Sequence, residues 1–470
     1  MTTSVNTGEM VKQLKQVLEN QKEVSIIGHD NIDVDSFLSG ILLEKLLKFM
    51  GINARFMILE PIKYDDTYSV LKKIGINNMH DYYYPYEDES RILFLVDHYE
   101  TSHKGRIIGC IDHHPTIKDN DYEFSYVRNA TSAGFMVYEL MKEAKYPFNL
   151  KDLTFVVTSM MIDTVSFRSS KAIHAEVEEA KKIARQYPID YLYLEKVCLC
   201  LTEIDQMSIE RITTNGQKQY TFNGNNVKSA YVQLNRTPER EDVRAWINHI
   251  HKKVCNSTDL AMYVFLIFDT KLNYTDEYQI MRYHTKHVKH KGILSRGKDI
   301  MPLVEKRFTN TLDQEEMIQR IIEKMSKANQ TIATMESCTG GSLAGAITDV
   351  SGASDILRKS YVVYCNDAKI EEGVPASTID TFTVYSKETA IDMAKAVKKK
   401  VGSSIGVGIT GQLGRIDPRN VGVENNKAWY TIETDNKTIT AEITLYSGDW
   451  KRRRKKEVII EEIINDLYML

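Results

Sequence analysis

Carboxylate and imidazole side chains cluster just beyond short apolar runs in the first third of the sequence. The runs are Val24–Ile27, 91–96 and 107–111, and a longer apolar stretch with helical character covers 155–162. The polar residues that follow them are His29, Asp33, Asp35, Asp97, Asp112, His113, His114 and Asp163. Ligand sites in open parallel sheets lie at the carboxyl ends of the strands. The sequence therefore predicts one polar site at a sheet edge.

Carboxylates mixed with imidazoles are ligands for hard or borderline divalent cations. They suit Mn²⁺ or Mg²⁺ better than metals that prefer thiolates, and the histidines favour Mn²⁺. Two ions about 3.5–4 Å apart, bridged by one carboxylate, would activate a water and stabilise an in-line displacement at phosphorus. The residue types thus predict a two-metal phosphoesterase, with Mg²⁺ as the alternative ion.

The order of these residues resembles the DHH phosphoesterase family. That family has an H-x-x-x-D-x-D motif, a single strand-end aspartate, a D-H-H run and a later D-T motif, and this chain has all four, the last as Asp163-Thr164. The resemblance implies one metal held by His29, Asp33 and Asp97. It implies a second held by Asp35, Asp97, His113 and Asp163, with Asp97 bridging the two.

The same resemblance assigns two further residues to the phosphate. His114 would face the scissile phosphate as a proton donor or charge stabiliser. Arg168 lies in a segment similar to the D-T-G-x-F-R of oligonucleotide-cleaving members, which implies a phosphate contact. A surface salt bridge is the other interpretation of Arg168.

The alternation of apolar runs with helical stretches predicts a parallel α/β domain over residues 1–195. Longer β-like runs predict a small α+β domain over 196–310, and strand and helix signals begin afresh over 311–470 as a third, α/β domain. The third domain opens on a helix near Asp313, with Glu316 in capping-box spacing. The predicted fold class is therefore α/β throughout, with a divergent substrate-binding domain in the middle.

The middle segment departs from the nuclease-like members of the DHH family. The stretch around Arg282 resembles their arginine-bearing strand, but residues 309–313 stand where a Gly-rich G-G-G-H loop would grip the nucleotide. Backbone N–H groups approach a phosphate closely only where glycines permit it. The basic stretches 284–291 and 295–298 form either a substitute anion pocket or a solvated hairpin.

A second chemical group lies in the third segment. The apolar run 331–335 leads to Ser337, Thr339, Gly340 and Gly341, and a helical pattern follows. A serine on such a strand-to-helix turn lies near the free N–H groups of a helix start. A nucleophilic serine needs a base, and a desolvated lysine such as Lys369 can serve.

The extended pattern resembles the C-terminal domain of the CinA family, whose members include nicotinamide-nucleotide amidases. The matching motifs are A-T-x-E-S-C-T-G-G, a Val-Ser-Gly-Ala-Ser turn and Y-x-N-D-A-K. The resemblance implies that Ser337 attacks the carboxamide of nicotinamide mononucleotide, with Lys369 as base and Tyr364 assisting proton transfer. Thr339 and Gly340 would contact the substrate.

Two features of this segment depart from a simple pattern. The last helix begins with six cationic residues, Lys451 to Lys456, whose charges oppose the helix dipole. One interpretation is an anion pocket that includes Arg454. The other is a solvated basic face or an RNA contact. The family's T-G-I-A-G-P-G-G loop is replaced by 410–417, where Arg415 or Arg419 could alter the pocket.

Composition limits the class of protein. The 470 residues carry a net charge of −3, which argues against broad nonspecific affinity for nucleic acid. The polar N-terminus, the lack of a membrane-length apolar stretch and six scattered cysteines predict a cytoplasmic enzyme with no membrane partner. By resemblance we also expect a homo-oligomer.

Together these features predict a bifunctional hydrolase. Its first site would be a phosphodiesterase for small nucleotides, such as a short oligonucleotide, a cyclic dinucleotide or a dinucleotide, with short single-stranded nucleic acid as a further partner. Its second site would deamidate nicotinamide mononucleotide. The alternative is a first site that acts as an inorganic pyrophosphatase, joined to a third domain that only senses a nucleotide.

Overall fold

A computed structural model describes residues 6–63, 65–85, 88–114, 121–202, 204–414, 424–446 and 450–470. The described residues form two β-sheets with helices on their faces. Within the described residues, no helix is long and apolar enough to cross a membrane.

The first sheet has five parallel strands in the order β2-β1-β3-β4-β5. The strands are β1 (Val24–Ile27), β2 (Ala54–Met57), β3 (Ile92–Val96), β4 (Arg106–Asp112) and β5 (Phe124–Val127). The helices are α1 (Thr7–Leu18), α2 (Val34–Phe49), α3 (Asp65–Lys73), α4 (Ala133–Glu143), α5 (Leu150–Asp163), α6 (His174–Gln186) and α7 (Tyr191–Leu199). Strands β1 and β3 are almost wholly buried because helices cover both faces of the sheet.

The second sheet has ten strands and joins the middle and C-terminal segments. Its order is β12-β11-β13-β14-β15-β10-β9-β8-β7-β6. The strands are β6 (Lys218–Phe222), β7 (Asn225–Leu234), β8 (Leu260–Asp269), β9 (Tyr274–Ile280), β10 (His284–Lys291), β11 (Ile332–Glu336), β12 (Leu357–Val362), β13 (Ile405–Gln412), β14 (Lys427–Glu433) and β15 (Thr438–Leu445). The helices are α8 (Ile209–Thr214), α9 (Arg240–Asn256), α10 (Met301–Thr309), α11 (Gln314–Lys327), α12 (Ser342–Thr348), α13 (Ala353–Ile356), α14 (Asn366–Glu371), α15 (Ala376–Phe382), α16 (Lys387–Val401) and α17 (Arg452–Met469).

A buried ionic cluster lies behind the strand pair that unites the two segments. Strand β10 pairs antiparallel with β15, and the fully buried Glu462 of α17 accepts hydrogen bonds from both Nη atoms of Arg307, at 2.6 and 2.9 Å. His284 lies 2.9 Å from the same carboxylate and Lys286 lies 3.5 Å from it. Burial raises the pKa of Glu462, but Arg307 and Lys286 outweigh burial and hold that pKa well below its usual range. The cluster therefore joins the middle and C-terminal segments through buried ion pairs.

The α/β fold class predicted from the sequence is confirmed. The predicted helix start is also confirmed, since Asp313 caps α11 and forms a capping box with Glu316. The predicted boundary at residue 310 lies between α10 and α11, but the second sheet crosses it. The stretch 284–291 forms strand β10, which pairs antiparallel with the preceding β9 as in the hairpin interpretation, but inside that sheet.

Candidate functional site

The first candidate site lies at the carboxyl ends of β1, β3 and β4. Asp33 caps α2, where its carboxylate accepts a hydrogen bond from the Ser36 N–H at 3.0 Å. Asp97 follows β3 with a φ of +66°, a left-handed conformation that non-glycine residues adopt at a cost. Strand β4 ends at Asp112, and the two histidines follow it directly. Strand ends thus bring the predicted residues together.

Asp97 lies between two histidines. Its Oδ2 is 3.5 Å from His29 Nε2, and its Oδ1 is 3.2 Å from His113 Nε2. Asp33 Oδ2 is 3.4 Å from His29 Nε2, while Asp163 Oδ2 is 3.7 Å from His113 Nε2. These distances give two adjoining donor groups that share Asp97, the arrangement that the resemblance implies for a bridging carboxylate.

Carboxylates dominate the electrostatics of both histidines. Burial lowers the pKa of His29, but Asp33 and Asp97 more than offset burial and raise that pKa to about 9. The pKa of His113 rises to about 10 in the same way, because Asp97 and Asp163 outweigh burial. Each histidine is therefore in a field that favours a positive charge on or beside its ring.

These side chains suit a divalent cation. Three groups of carboxylate and imidazole ligands each lie within 4.8 Å, namely Asp97 with both histidines of the D-H-H run, His29 with Asp33 and Asp97, and Asp35 with His113 and Asp163. Asp97 Oδ1 is buried and accepts no hydrogen bond among the described residues, so it has lone pairs left for a cation. The donor set fits a hard or borderline divalent metal.

Asp35 and Asp163 have additional partners. The Asp35 carboxylate accepts hydrogen bonds from Ala133 N, Gly134 N and Ser159 Oγ, so it also anchors the start of α4. Lys171 Nζ lies 2.6 and 2.8 Å from the two oxygens of Asp163. A cation near Asp163 would therefore compete with Lys171 for this carboxylate.

His114 is oriented by the buried Asp112. The Asp112 Oδ1 atom lies 2.8 Å from His114 Nδ1 and also accepts the His114 backbone N–H at 3.1 Å. His114 lines the cleft with Asp33, Asp97 and Asp163. With Nδ1 held by Asp112, Nε2 is the ring atom left to act on a bound group.

A cationic wall of Lys218, Arg296 and Lys298 lines the same cleft, of about 260 Å³, as the acidic cluster. Lys171 also lines that cleft, but it lies within the acidic cluster, 2.6 Å from Asp163. Lys218 begins β6, and Arg296 and Lys298 lie on a turn of π-helix before α10. The stretch 295–298 therefore lies at the cleft, as the anion-pocket interpretation requires. The sequence analysis missed Lys171 and Lys218, because isolated lysines have no spacing that distinguishes them from surface residues.

Contacts across the cleft hold the two walls near each other. Lys298 Nζ donates a hydrogen bond to Asn129 Oδ1 at 2.7 Å, and Ser170 donates one to Asp299. Asn215 Nδ2 of the middle segment donates to Asp66 of α3 at 3.1 Å. The site is thus complete only while the middle segment contacts the first domain.

The structure brings neither predicted arginine to the cleft. Arg168 donates a hydrogen bond to the Thr270 carbonyl at 2.5 Å and lies 3.7 Å from Glu195, so the salt-bridge interpretation describes it better than a phosphate contact. Arg282 lies beyond β9 and donates to the Ser257 carbonyl at 2.8 Å. The stretch 309–313 connects α10 to α11 and does not line the cleft.

The second candidate site lies at the end of β11. Ser337 is buried and its N–H continues the strand ladder to the Ile409 carbonyl at 2.9 Å. Lys369 Nζ of α14 donates to Ser337 Oγ at 3.1 Å and to the Val363 carbonyl at 2.9 Å. Burial lowers the pKa of Lys369 to about 8, so the lysine can exist as a neutral amine near neutral pH. The serine hydroxyl can therefore act as a nucleophile, with the neutral amine beside it as the base.

The turn after Ser337 is built around a buried glutamate. Glu336 accepts hydrogen bonds from the backbone N–H groups of Gly341, Leu343 and Ala344 at 2.9–3.2 Å, which satisfies the first turn of α12. Gly340 has a φ of +62° that favours glycine. Thr339 is fully buried, and its hydroxyl hydrogen-bonds to no described residue.

The cations near the serine differ from the one predicted. Arg454 is exposed and lies 3.2 Å from Glu457, away from the turn. Lys456 Nζ instead lies over Gly340, 3.2 Å from where a Cβ would stand. Arg452, one helical turn before Lys456, donates to Tyr364 Oη at 3.1 Å.

Tyr364 is 65% exposed, and its hydroxyl contacts Arg452; among the described residues no contact joins it to Ser337. Arg415 and Arg419 lie outside the described residues.

Two family models match separate stretches of the chain. Residues 23–163 match the model of the DHH family N-terminal domain, and residues 314–458 match that of the CinA C-terminal domain. A CinA-like protein of Fervidobacterium nodosum is 36% identical over 155 residues, which are 30% of this chain and 38% of that protein. A putative competence-damage inducible protein of Caldanaerobacter subterraneus subsp. tengcongensis is 35% identical over 188 residues, 38% of this chain and 44% of that protein. The chain thus spans about two fifths of the curated relatives it matches.

Two solved structures are similar to parts of the chain. The competence/damage inducible protein CihA from Agrobacterium tumefaciens is 28% identical, covers 34% of this chain and 95% of its own, and has a TM-score of 0.31. The putative family II inorganic pyrophosphatase of Methanococcus jannaschii is 21% identical, covers 61% of this chain and 100% of its own, and has a TM-score of 0.49. The chain combines a DHH-family N-terminal domain with a CinA C-terminal domain.

Proposed function

We propose that the first site hydrolyses the phosphoanhydride bond of a compact, multiply charged anion, of which inorganic pyrophosphate is the simplest, with two divalent ions and Mn²⁺ preferred. One observation carries this proposal. Four cationic side chains converge on the carboxylate and imidazole cluster in a single cleft of about 260 Å³. Convergent cations around a small volume bind a dense negative charge better than an extended nucleotide.

The chain's own residues have distinct parts in this reaction. Asp97 and its neighbours would hold the ions, which when bound would supply an activated water and charge neutralisation. Lys218, Arg296 and Lys298 would bind the phosphate oxygens that do not react. His114, oriented by Asp112, would donate the proton that the leaving phosphate takes up.

Phosphodiesters of small nucleotides, favoured by the sequence, are the second candidate. Arg168 and Arg282 were the residues that favoured them, and both have backbone carbonyl partners away from the cleft. Tyr220 and Tyr231 line the cleft and could stack on a base, which keeps this candidate in the test.

The test is a substrate panel with Mn²⁺ or Mg²⁺. Pyrophosphate, short oligonucleotides, cyclic dinucleotides and NAD would be compared by phosphate release and product chromatography. We expect kcat/KM to be highest for pyrophosphate. A nucleotide diester cleaved faster than pyrophosphate would replace the proposal with the second candidate. Asp97→Asn is the control for contaminating phosphatase.

For the second site we propose serine-dependent deamidation of nicotinamide mononucleotide. Lys369 takes the Ser337 proton as Oγ bonds to the carboxamide carbon, and the C–N bond then breaks while Lys369 returns a proton to the departing ammonia. Water hydrolyses the resulting ester and frees Ser337. The supporting observation is the 3.1 Å contact between Lys369 Nζ and Ser337 Oγ, with Lys369 1% exposed.

The substrate phosphate would be bound by cations of α17. Arg452 and Lys456 are four residues apart, so they share one face of that helix, and both lie near the turn that follows Ser337. Arg454 lies two residues from each and is paired with Glu457, which makes it the matched control.

Ammonia release separates an enzyme from a nucleotide sensor. We expect release by the unmutated protein, loss in Ser337→Ala and a raised KM in Arg452→Gln but not in Arg454→Gln. Tight binding of the mononucleotide without any ammonia would instead identify the domain as a sensor.

A further inference from the structure

Gln412, the last residue of β13, is a buried amide without a partner. It is 3% exposed, and neither its Nε2 nor its Oε1 hydrogen-bonds to any described residue. An amide removed from water without replacement hydrogen bonds destabilises a fold. Buried polar groups are otherwise almost always paired, so an amide with both atoms free points to a group that arrives from outside.

The pleat of β13 shows which face of the sheet Gln412 occupies. A Cβ on Gly406 or Gly408 would lie 2.2–2.4 Å from backbone carbonyls of α16, so these residues face that helix. Thr410 Oγ1 donates to the Val384 carbonyl, just before α16, while Ile409 packs in the core on the opposite face. Side chains alternate along a strand, so Gln412 shares the face of Thr410.

Ser337 lies on that same face. Met335 of β11 packs in one cluster with Met393 and Val397 of α16, and Ser337 is two residues further along. The Ser337 N–H bonds to the Ile409 carbonyl, so the neighbouring strand runs in register past the serine. Gln412 is two residues beyond Thr410, which places it about 7 Å further along the strand direction.

We infer that Gln412 determines substrate specificity at the serine site by hydrogen-bonding the ribose hydroxyls of the nucleotide. The inference rests on the proposed deamidation. A hydroxyl both donates and accepts, which matches an amide whose donor and acceptor are both free. The offset of about 7 Å along the strand leaves room for a nicotinamide ring between a carboxamide at Ser337 and a sugar at Gln412.

The charges around Gln412 support a neutral contact. Arg452 and Lys456 lie near the turn after Ser337 and are assigned to the phosphate. Lys427, opposite Gln412 on β14, already lies 2.6 Å from Glu442 and 3.1 Å from Glu424. Gln412 is therefore left to recognise an uncharged part of the ligand.

The experiment compares Gln412→Met with a matched control, Gln233→Met. Gln233 is 2% exposed, but its Nε2 donates to the Cys198 carbonyl at 2.5 Å. Methionine fills similar volume without polar atoms. We expect Gln412→Met to keep or raise the Tm, by about 2–4 °C, since it removes two unpaired polar groups. We expect Gln233→Met to lower the Tm and leave deamidation unchanged.

Kinetics supply the second measurement. Loss of a hydrogen bond to an uncharged group should lower kcat/KM of Gln412→Met about 10-fold for both nicotinamide mononucleotide and nicotinamide riboside, because both carry the ribose. The kcat/KM for free nicotinamide, which lacks the sugar, should not change. Arg452→Gln should affect the mononucleotide alone.

Four results would overturn the inference. An unchanged kcat/KM, or a Tm that falls as in Gln233→Met, would make Gln412 a structural residue. An equal loss for free nicotinamide would move the contact to the carboxamide. If the unmutated protein releases no ammonia and Ser337→Ala binds no mononucleotide by calorimetry, the proposed deamidation itself fails and the inference with it.

Discussion

The two sites of this chain treat buried charge in opposite ways. In the first, His29, His113 and Asp163 each lie beside a group of opposite sign, as in the 2.6 Å contact between Lys171 and Asp163. In the second, Lys369 is buried against a hydroxyl and a carbonyl with no carboxylate within reach among the described residues. A partner of opposite sign stabilises the charged form of a buried group, whereas burial without such a partner favours the neutral form. The first site is suited to binding ions and the second to proton transfer.

The sites also differ in how many domains build them. The acidic ligands of the first come from the first domain, while Lys218, Arg296 and Lys298 come from the middle segment. Every described residue of the second site lies between β11 and α17. The first site therefore depends on contact between domains, whereas the residues of the second all come from one domain.

The sharpest test of this separation exchanges one residue in each site. Asp97→Asn removes the carboxylate shared by both donor groups and should lower phosphate release by about 10³-fold or more. Ser337→Ala should lower ammonia release by at least about 10³-fold. Both rates are measured for both variants.

The unaffected reaction in each variant is its own control. Loss of both reactions from either substitution would show that the two sites communicate, most directly through the sheet that crosses residue 310. Separate losses would establish two independent enzymes on one chain.

Lys369→Met tests how much stability the protein loses by burying a lysine without an acidic partner. The substitution removes the proposed base, so deamidation should fall by about 10³-fold. At pH 7 a lysine whose pKa lies near 8 instead of 10.5 destabilises the fold, so the variant should be more stable, by up to about 3 kcal/mol. Denaturant unfolding measures this gain. Lys171→Met is the contrasting variant, and it should be less stable because Asp163 loses its partner.

The sequence predicts the site residues that directly follow strands of the first sheet. It does not predict the site residues that the middle segment brings to the same cleft. His29, Asp33, Asp97 and His113 were predictable because parallel strands end at one edge. Lys218 was not, since nothing in its neighbourhood indicates that β6 faces the first domain.

The same limit explains Arg454. A run of six cations identifies a helix start but not the face of that helix. Only the packing of α17 distinguishes Arg452 and Lys456 from Arg454. The shared ten-stranded sheet was also beyond prediction, because the pairing of β10 with β15 joins residues about 150 positions apart.

Arg296→Gln tests the cationic wall with a smaller expected effect. Loss of one phosphate contact should raise the KM for pyrophosphate about 10-fold with little change in kcat, since the contact is to oxygens that do not react. Added salt should weaken substrate binding less in the variant than in the unmutated protein. Arg168→Gln is the matched control, because Arg168 contacts Thr270 outside the cleft. A larger effect at Arg168 would return the phosphate contact to that residue.

The last expected effect is a dependence on pH that belongs to the second site. Only the neutral form of Lys369 can take the Ser337 proton, so kcat/KM for deamidation should rise about tenfold per pH unit below about 8 and level off above it. Stability follows from the same shift. Between pH 8 and 10.5 the unfolded chain binds the proton that folded Lys369 has lost, so the free energy of unfolding rises with pH in that window. Lys369→Met should flatten this rise, and an ammonia-release profile with no inflection near 8 would exclude Lys369 as the base.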